Sequence, residues 1–336
     1  MTRRHLAAVP ALLLTLLLTL LLLLLAGCAS PGEREAAAPA GGAITLGFSA
    51  WPGWFPWQVA GEQGLFRKNG VDVELKYFDS YTDSLNALAT GTIDANSQTL
   101  NDTLASVAGG AKQSVVLVND NSSGNDQIIA GPGVSSLSDL KGRTVAAEQG
   151  TVDHYLLLLA LRKAGLTEAD VRFRPMPTDA AAAAFVAGQV DAVGVFAPFT
   201  TTALKRKGSR AIATSADFPG AIPDHLVVTR DLVSRDPKAV QGLVSAWFDA
   251  LTWIGEHRPE SLQIMAKRAG VSVSDYESYD KGTTIFTLER NRTAFSGELD
   301  GRAKEIAEFL VASKLVDKAP PLEGLFAPRF VRAVQP

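Results

Sequence analysis

The stretch ITLGFSAWPGWFPWQVAGEQGLFRKN, Ile44 to Asn69, decides how the rest of the chain is read. Ile44, Leu46 and Phe48 alternate as the residues of a β-strand do. Ser49-Ala50-Trp51-Pro52-Gly53 breaks the strand, and the pattern predicts a helix from about Trp54 to Lys68. Three of the five tryptophans, Trp51, Trp54 and Trp57, fall at this junction. In an α/β sheet, the carboxyl end of a strand and the helix start that follows it are where ligands sit. An indole ring there offers a large apolar face and one N–H donor. The spacing of Trp54 and Trp57 also suits simple core packing, but a cluster at a turn shaped by Pro52 and Gly53 points to a pocket.

Upstream, Arg3, Arg4 and His5 precede an apolar run from Leu6 through Ala26, which ends Leu25-Ala26-Gly27-Cys28. This matches the lipobox of bacterial lipoproteins, in which the cysteine is diacylated and becomes the new N-terminus. A membrane-spanning anchor is the alternative. The only cysteine of the chain stands at the one position the leader chemistry requires, which favours the lipoprotein. Residues 1–28 are then a leader, and residues 29–42, rich in Ala, Pro, Gly and charge, a flexible tether. No disulfide and no free thiolate remain. Two acyl chains make a stable anchor. Removing Arg3 and Arg4 takes 32 basic residues to 30 against 35 acidic ones, a net charge of about −5, which speaks against a nucleic-acid partner.

About 300 residues follow, more than one core usually organises, so two lobes are expected. Strands and helices alternate along them. Leu88-Ala-Thr-Gly91-Thr-Ile-Asp94-Ala95 aligns with Phe185-Val-Ala-Gly188-Gln-Val-Asp191-Ala192, and each reads as a helix stopped by glycine and then a buried strand. The polar run Asn119 to Asn125 and the breaker-rich Thr214 to Asp224 read as crossovers. Lobe one is expected over 43–124 and 225–336, and lobe two over 125–224. From Pro237 onward the pattern is mostly helical. No P-loop, zinc motif or nucleophile elbow occurs. His154, His225 and His257 lack metal-ligand spacing, so no metal is expected.

Several segments together resemble the solute-binding proteins of ABC importers in the nitrate/sulfonate/taurine group. They are Glu62-Gln-Gly-Leu-Phe66, Gly70-Val-Asp-Val-Glu74, both Gly-x-x-Asp-Ala units, Leu137-Ser-Asp-Leu-Lys-Gly-Arg-Thr-Val-Ala146 and Leu161-Arg-Lys-Ala-Gly-Leu166. The resemblance runs from about Ile44 to Ser313. It implies the type II periplasmic-binding-protein fold, two α/β lobes joined by two interlobe crossovers that close on a small ligand. It also implies a monomer serving a permease with a separate ATPase, with no cofactor of its own. Sulfonate-binding relatives often carry Trp-x-Pro-Tyr where this chain has Phe196-Ala-Pro198-Phe199, and the tryptophan-rich turn is heavier than usual for the group.

Strand ends facing across a cleft nominate Ser49, Trp51, Trp54, Gln98, Thr99, Asp102 and Asn119 from one lobe. The other lobe offers Glu148, Gly150, Thr151, Phe196 and Phe199, with His154 just behind. The helix starts at Gln98–Thr99 and Gly150–Thr151 suit an anion, and the first-choice ligand is an alkanesulfonate or taurine-like zwitterion. The alternative is a nitrogenous cation held by the tryptophans and balanced by Asp102 or Glu148. An enzyme on the same fold, such as a pyrimidine synthase, is the rival class, but this chain lacks the cysteine-rich motif of those relatives. Replacing Cys28 with Ala is expected to release the protein from membranes and to abolish fatty-acid labelling, measured by membrane fractionation.

Overall fold

The computed structural model describes residues 42–335; the leader, Cys28 and the tether up to Gly41 lie outside them. The described residues form one compact unit. Its strands are β1 (Ile44–Phe48), β2 (Val73–Tyr77), β3 (Ala95–Thr99), β4 (Gln113–Ser122), β5 (Asp126–Ala130) and β6 (Thr144–Ala147). They continue with β7 (Arg172–Pro175), β8 (Ala192–Phe196), β9 (Arg210–Thr214), β10 (Pro223–Thr229) and β11 (Thr283–Ile285). The first sheet has the order β11-β4-β10-β3-β1-β2 and the second β7-β6-β8-β5-β9. The chain passes between them twice, from β4 to β5 and from β9 to β10.

The repeated Gly-x-x-Asp-Ala unit shows why both sheets start alike. The helices Tyr81–Ala89 and Thr178–Val186 end before Gly91 (φ +73°) and Gly188 (φ +76°), in backbone that glycine adopts without steric cost. Thr92 N–H then returns to the Ala87 carbonyl at 2.8 Å, and Gln189 N–H to Ala184 at 2.9 Å. The Asp94 carboxylate accepts from Thr45 N–H at 3.0 Å, and Asp191 accepts from Thr144 N–H at 2.8 Å. Each aspartate thus fastens the start of the neighbouring strand, and the alanine after it is fully buried. In register, Leu46 faces Ala95 across β1 and β3, and Val145 faces Ala192 across β6 and β8.

Local chemistry redirects the chain where the structure departs from the expected elements. The helix expected over 54–68 is a 3-10 turn at Pro52–Trp54 and two pieces, Pro56–Glu62 and Leu65–Lys68, parted at Gly64 (φ +66°). Trp57 belongs to the core. It is fully buried, its indole donates to Ser97 Oγ at 2.8 Å, and its ring meets Trp247 at 4.6 Å on the helix Pro237–Glu256. Asn119–Ser122, expected as a turn, extends β4, because β10 and β11 pair with it: Asp224 faces Asp120 and Thr283 faces Ser122. The short strands β5, β7, β9 and β11 carry too little alternation to announce themselves.

Asp94→Ala and Asp191→Ala are each expected to lower stability by about 1.5–3 kcal/mol, the range for a lost hydrogen bond to a charged acceptor. Urea unfolding checks this, with the Asn variants losing less.

Candidate functional site

β1 ends at Phe48, and the turn that follows brings Trp51 and Trp54 together with ring centroids 6.4 Å apart. Gly53 makes the turn possible. A Cβ there would lie 2.0 Å from Asp120 Oδ2, so no side chain fits. Tyr81 enters from the helix whose N-cap is Ser80. From the second sheet's side come Phe196, at the end of β8, and Val152, at the start of the helix Val152–Lys163. These residues, with Thr99, Asp126, Ile222 and Asp224, line a narrow chamber of about 10 Å³, room for a single small polar group. Phe196 meets Trp51 at 6.3 Å and Tyr81 at 6.2 Å, so aromatic contact spans the two sheets.

The polar tips of Trp51 and Tyr81 are tied to buried acids, while the Trp54 indole N–H has no hydrogen-bond partner. Trp51 Nε1–H donates to Asp120 Oδ1 at 3.0 Å, and Tyr81 O–H donates to Asp102 Oδ2 at 2.8 Å. Asp102 also accepts from Thr99 Oγ1 at 2.7 Å and Asn101 Nδ2 at 2.8 Å. The Val152 N–H, from the opposite sheet's helix start, stabilises its charge further. Asp126 and Asp224 face the chamber itself. Asp120, Asp126 and Asp224 each keep one carboxylate oxygen buried without a hydrogen-bond partner.

None of the ion pairs among the described residues includes any of these four acids. Burial therefore raises the pKa of each: Asp102 and Asp126 to about 7, Asp120 to about 8, and Asp224 well above the ordinary value. Repulsion between neighbours adds to the effect at Asp224, where Asp120 lies opposite. Among the described residues no group of three or more acids, histidines or cysteines is arranged to hold a metal ion.

Of the residues nominated from sequence, Trp51, Trp54, Thr99 and Phe196 line the inner chamber, and Asp102 stands behind Tyr81. Ser49, Glu148 and Phe199 line an outer chamber nearer solvent. Glu148 is held by protein partners: Thr82 Oγ1 donates to one oxygen from across the cleft, and Thr178 Oγ1 to the other at 2.8 Å. Gln98 and Asn119 are fully buried, the first among Asn96, Thr103 and Gln113, the second beside Ser97. Gly150 N–H donates to His154 Nδ1 at 3.3 Å, and Thr151 Oγ1 donates to the Glu148 carbonyl at 2.9 Å. His154 lies behind that loop, stacked on Phe173 and 2.7 Å from Glu168 through Nε2. Tyr81, Asp126 and Asp224 were missed. The two aspartates open the apolar runs Asp126-Gln-Ile-Ile-Ala and Asp224-His-Leu-Val-Val, at the two crossovers, and an acid at that place in both is the signal that was available.

The chain is a two-sheet α/β unit with a small chamber at the strand ends, beside two crossovers. Residues 37–270 match the NMT1-like family, and the chain belongs to it. A binding protein of Brucella abortus is 28% identical over 278 residues, 81% of this chain and 86% of that one. The taurine-binding periplasmic protein of Escherichia coli is 25% identical over 268 residues, 76% and 82% of the two chains. The fold is that of the periplasmic aliphatic sulphonate binding protein SsuA of Escherichia coli, with TM-score 0.72, 24% identity and 85% and 92% coverage.

The acids set a pH dependence. Their folded pKa values lie above the carboxylate value of an unfolded chain, about 3.9. Between the two values the folded protein holds protons that the unfolded chain has shed, so stability falls as pH rises. Urea midpoints of the solute-free protein are expected to drop from pH 5 to pH 9, through the region of about 7 to about 8 where Asp102, Asp126 and Asp120 ionise.

Proposed function

We propose that the chain is the extracytoplasmic solute-binding component of an ABC importer and that it captures a compact organic cation bearing N–H groups. One observation carries the ligand: four buried carboxylates, three with an unpaired oxygen, gather around indole and phenol rings with no basic side chain among them. A cation among such rings gains from their negative faces. The unpaired oxygens call for hydrogen-bond donors, which a protonated amine supplies and a quaternary ammonium does not. A sulfonate is the second reading, favoured by the names of relatives; the ammonium of a taurine-like zwitterion would meet the same acids.

Capture follows as closure of two lobes, 43–124 with 225–336 against 125–224, about the two crossovers. The closed surface engages a permease whose separate ATPase supplies the energy, and lipid on Cys28 keeps the protein at the membrane. The chain needs no cofactor for this and works as a monomer.

Titration calorimetry with propylammonium, choline, taurine, ethanesulfonate and nitrate tests the reading. Propylammonium is expected to bind, and choline more weakly. Asp224→Asn should weaken propylammonium tenfold or more, in line with a loss of about 1.5–3 kcal/mol for a hydrogen bond to a charged group, and Trp51→Ala should weaken it more than Trp51→Phe. Sulfonates binding where amines do not would overturn the cation.

A further inference from the structure

Beyond the aromatic wall lies the outer chamber, about 260 Å³ and open to solvent. Tyr81 and Phe196 border both chambers, so the edge-to-face contact between their rings is the seam between them. The inner chamber does not account for what lines the outer one. Ser49 is 1% exposed, its hydroxyl has no hydrogen-bond partner, and it borders only the outer chamber. A buried hydroxyl left unpaired in this way lacks a partner that a bound molecule can supply. Ala50, Pro177 and Phe199 add apolar surface beside it. At the rim, Asp79 and Asp179 approach from opposite sides of the cleft, both exposed, and neither takes part in an ion pair among the described residues. Glu148 contributes no free oxygen, since Thr82 and Thr178 occupy both.

We propose that the outer chamber is a second ligand subsite, which receives the substituent of a monosubstituted cation: a short chain whose terminal amine or hydroxyl pairs with Ser49 while the charged head occupies the inner chamber. This rests on the cation reading above. The chain of the ligand crosses the seam between Tyr81 and Phe196 and lies along Phe199. The rim acids favour a terminal amine over a hydroxyl and disfavour a terminal carboxylate, by simple Coulomb interaction at a solvated site.

Calorimetry with four probes separates the possibilities: propylammonium, 3-amino-1-propanol, 1,3-diaminopropane and β-alanine. The amino alcohol and the diamine are expected to bind at least fivefold tighter than propylammonium, and β-alanine more weakly. Ser49→Ala should abolish the advantage of the first two while changing propylammonium less than twofold. Asp179→Asn, an exposed change that keeps the side-chain oxygen accepting from Ala180 N–H, should weaken the diamine and leave the amino alcohol unchanged. Equal affinities for propylammonium, the amino alcohol and the diamine, or a Ser49→Ala loss equal for all probes, overturn the subsite and leave the inner cation site standing. Failure of every amine to bind overturns the cation reading and the subsite with it.

Discussion

Carboxylates buried side by side repel one another and lose hydration at the same time. Asp120 and Asp224 face each other across β4 and β10, with Asp126 close by at the start of β5. Much of the local structure is arranged around them. β4 runs on to Ser122 through polar residues, which places Asp120 on a fully paired strand. Gly53 carries no Cβ because the Asp120 carboxylate occupies that space. Trp51 is aimed by its bond to Asp120, and Tyr81 by its bond to Asp102. Two of the rings that wall the chamber, Trp51 and Tyr81, are therefore held from behind by acids, which fixes their orientation.

Two other acids act between the sheets. Asp102, in the helix after β3, meets the helix start at Val152 on the opposite side. Glu148, just after β6, reaches back to Thr82 on the first side. The arrangement is reciprocal: each half lends one carboxylate to donors of the other. Helix starts that suit an anionic solute are in this way already occupied by the protein's own anion.

How much of this was legible in the sequence depends on the kind of signal. The strand-turn-helix at Ile44–Asn69, the repeated Gly-x-x-Asp-Ala unit and both crossovers could be read, because glycine, proline and alternation report local backbone geometry directly. The pocket tryptophans were legible for the same reason, since they sit on a turn. Trp57 was not separable from Trp54 by spacing, because one 3-10 turn rotates the second ring into the cleft and leaves the first facing Trp247. Asp126 and Asp224 lie almost a hundred residues apart and meet only through two antiparallel pairings, which no local pattern encodes. Gln98 and Asn119 looked like cleft residues because they are polar and stand toward strand ends; their partners, Thr103 and Ser97, are equally polar and hold them inside the core.

The missing basic partner has an arithmetic consequence. A monovalent guest cancels one negative charge, so the remaining acids around the chamber must stay neutral if the cleft is to exclude water around it. Under the proposed cation capture, the protons retained by Asp102, Asp120, Asp126 and Asp224 would act as a tally matched to the valence of the guest. In more alkaline surroundings that tally would shift, and a doubly charged guest would become the better match.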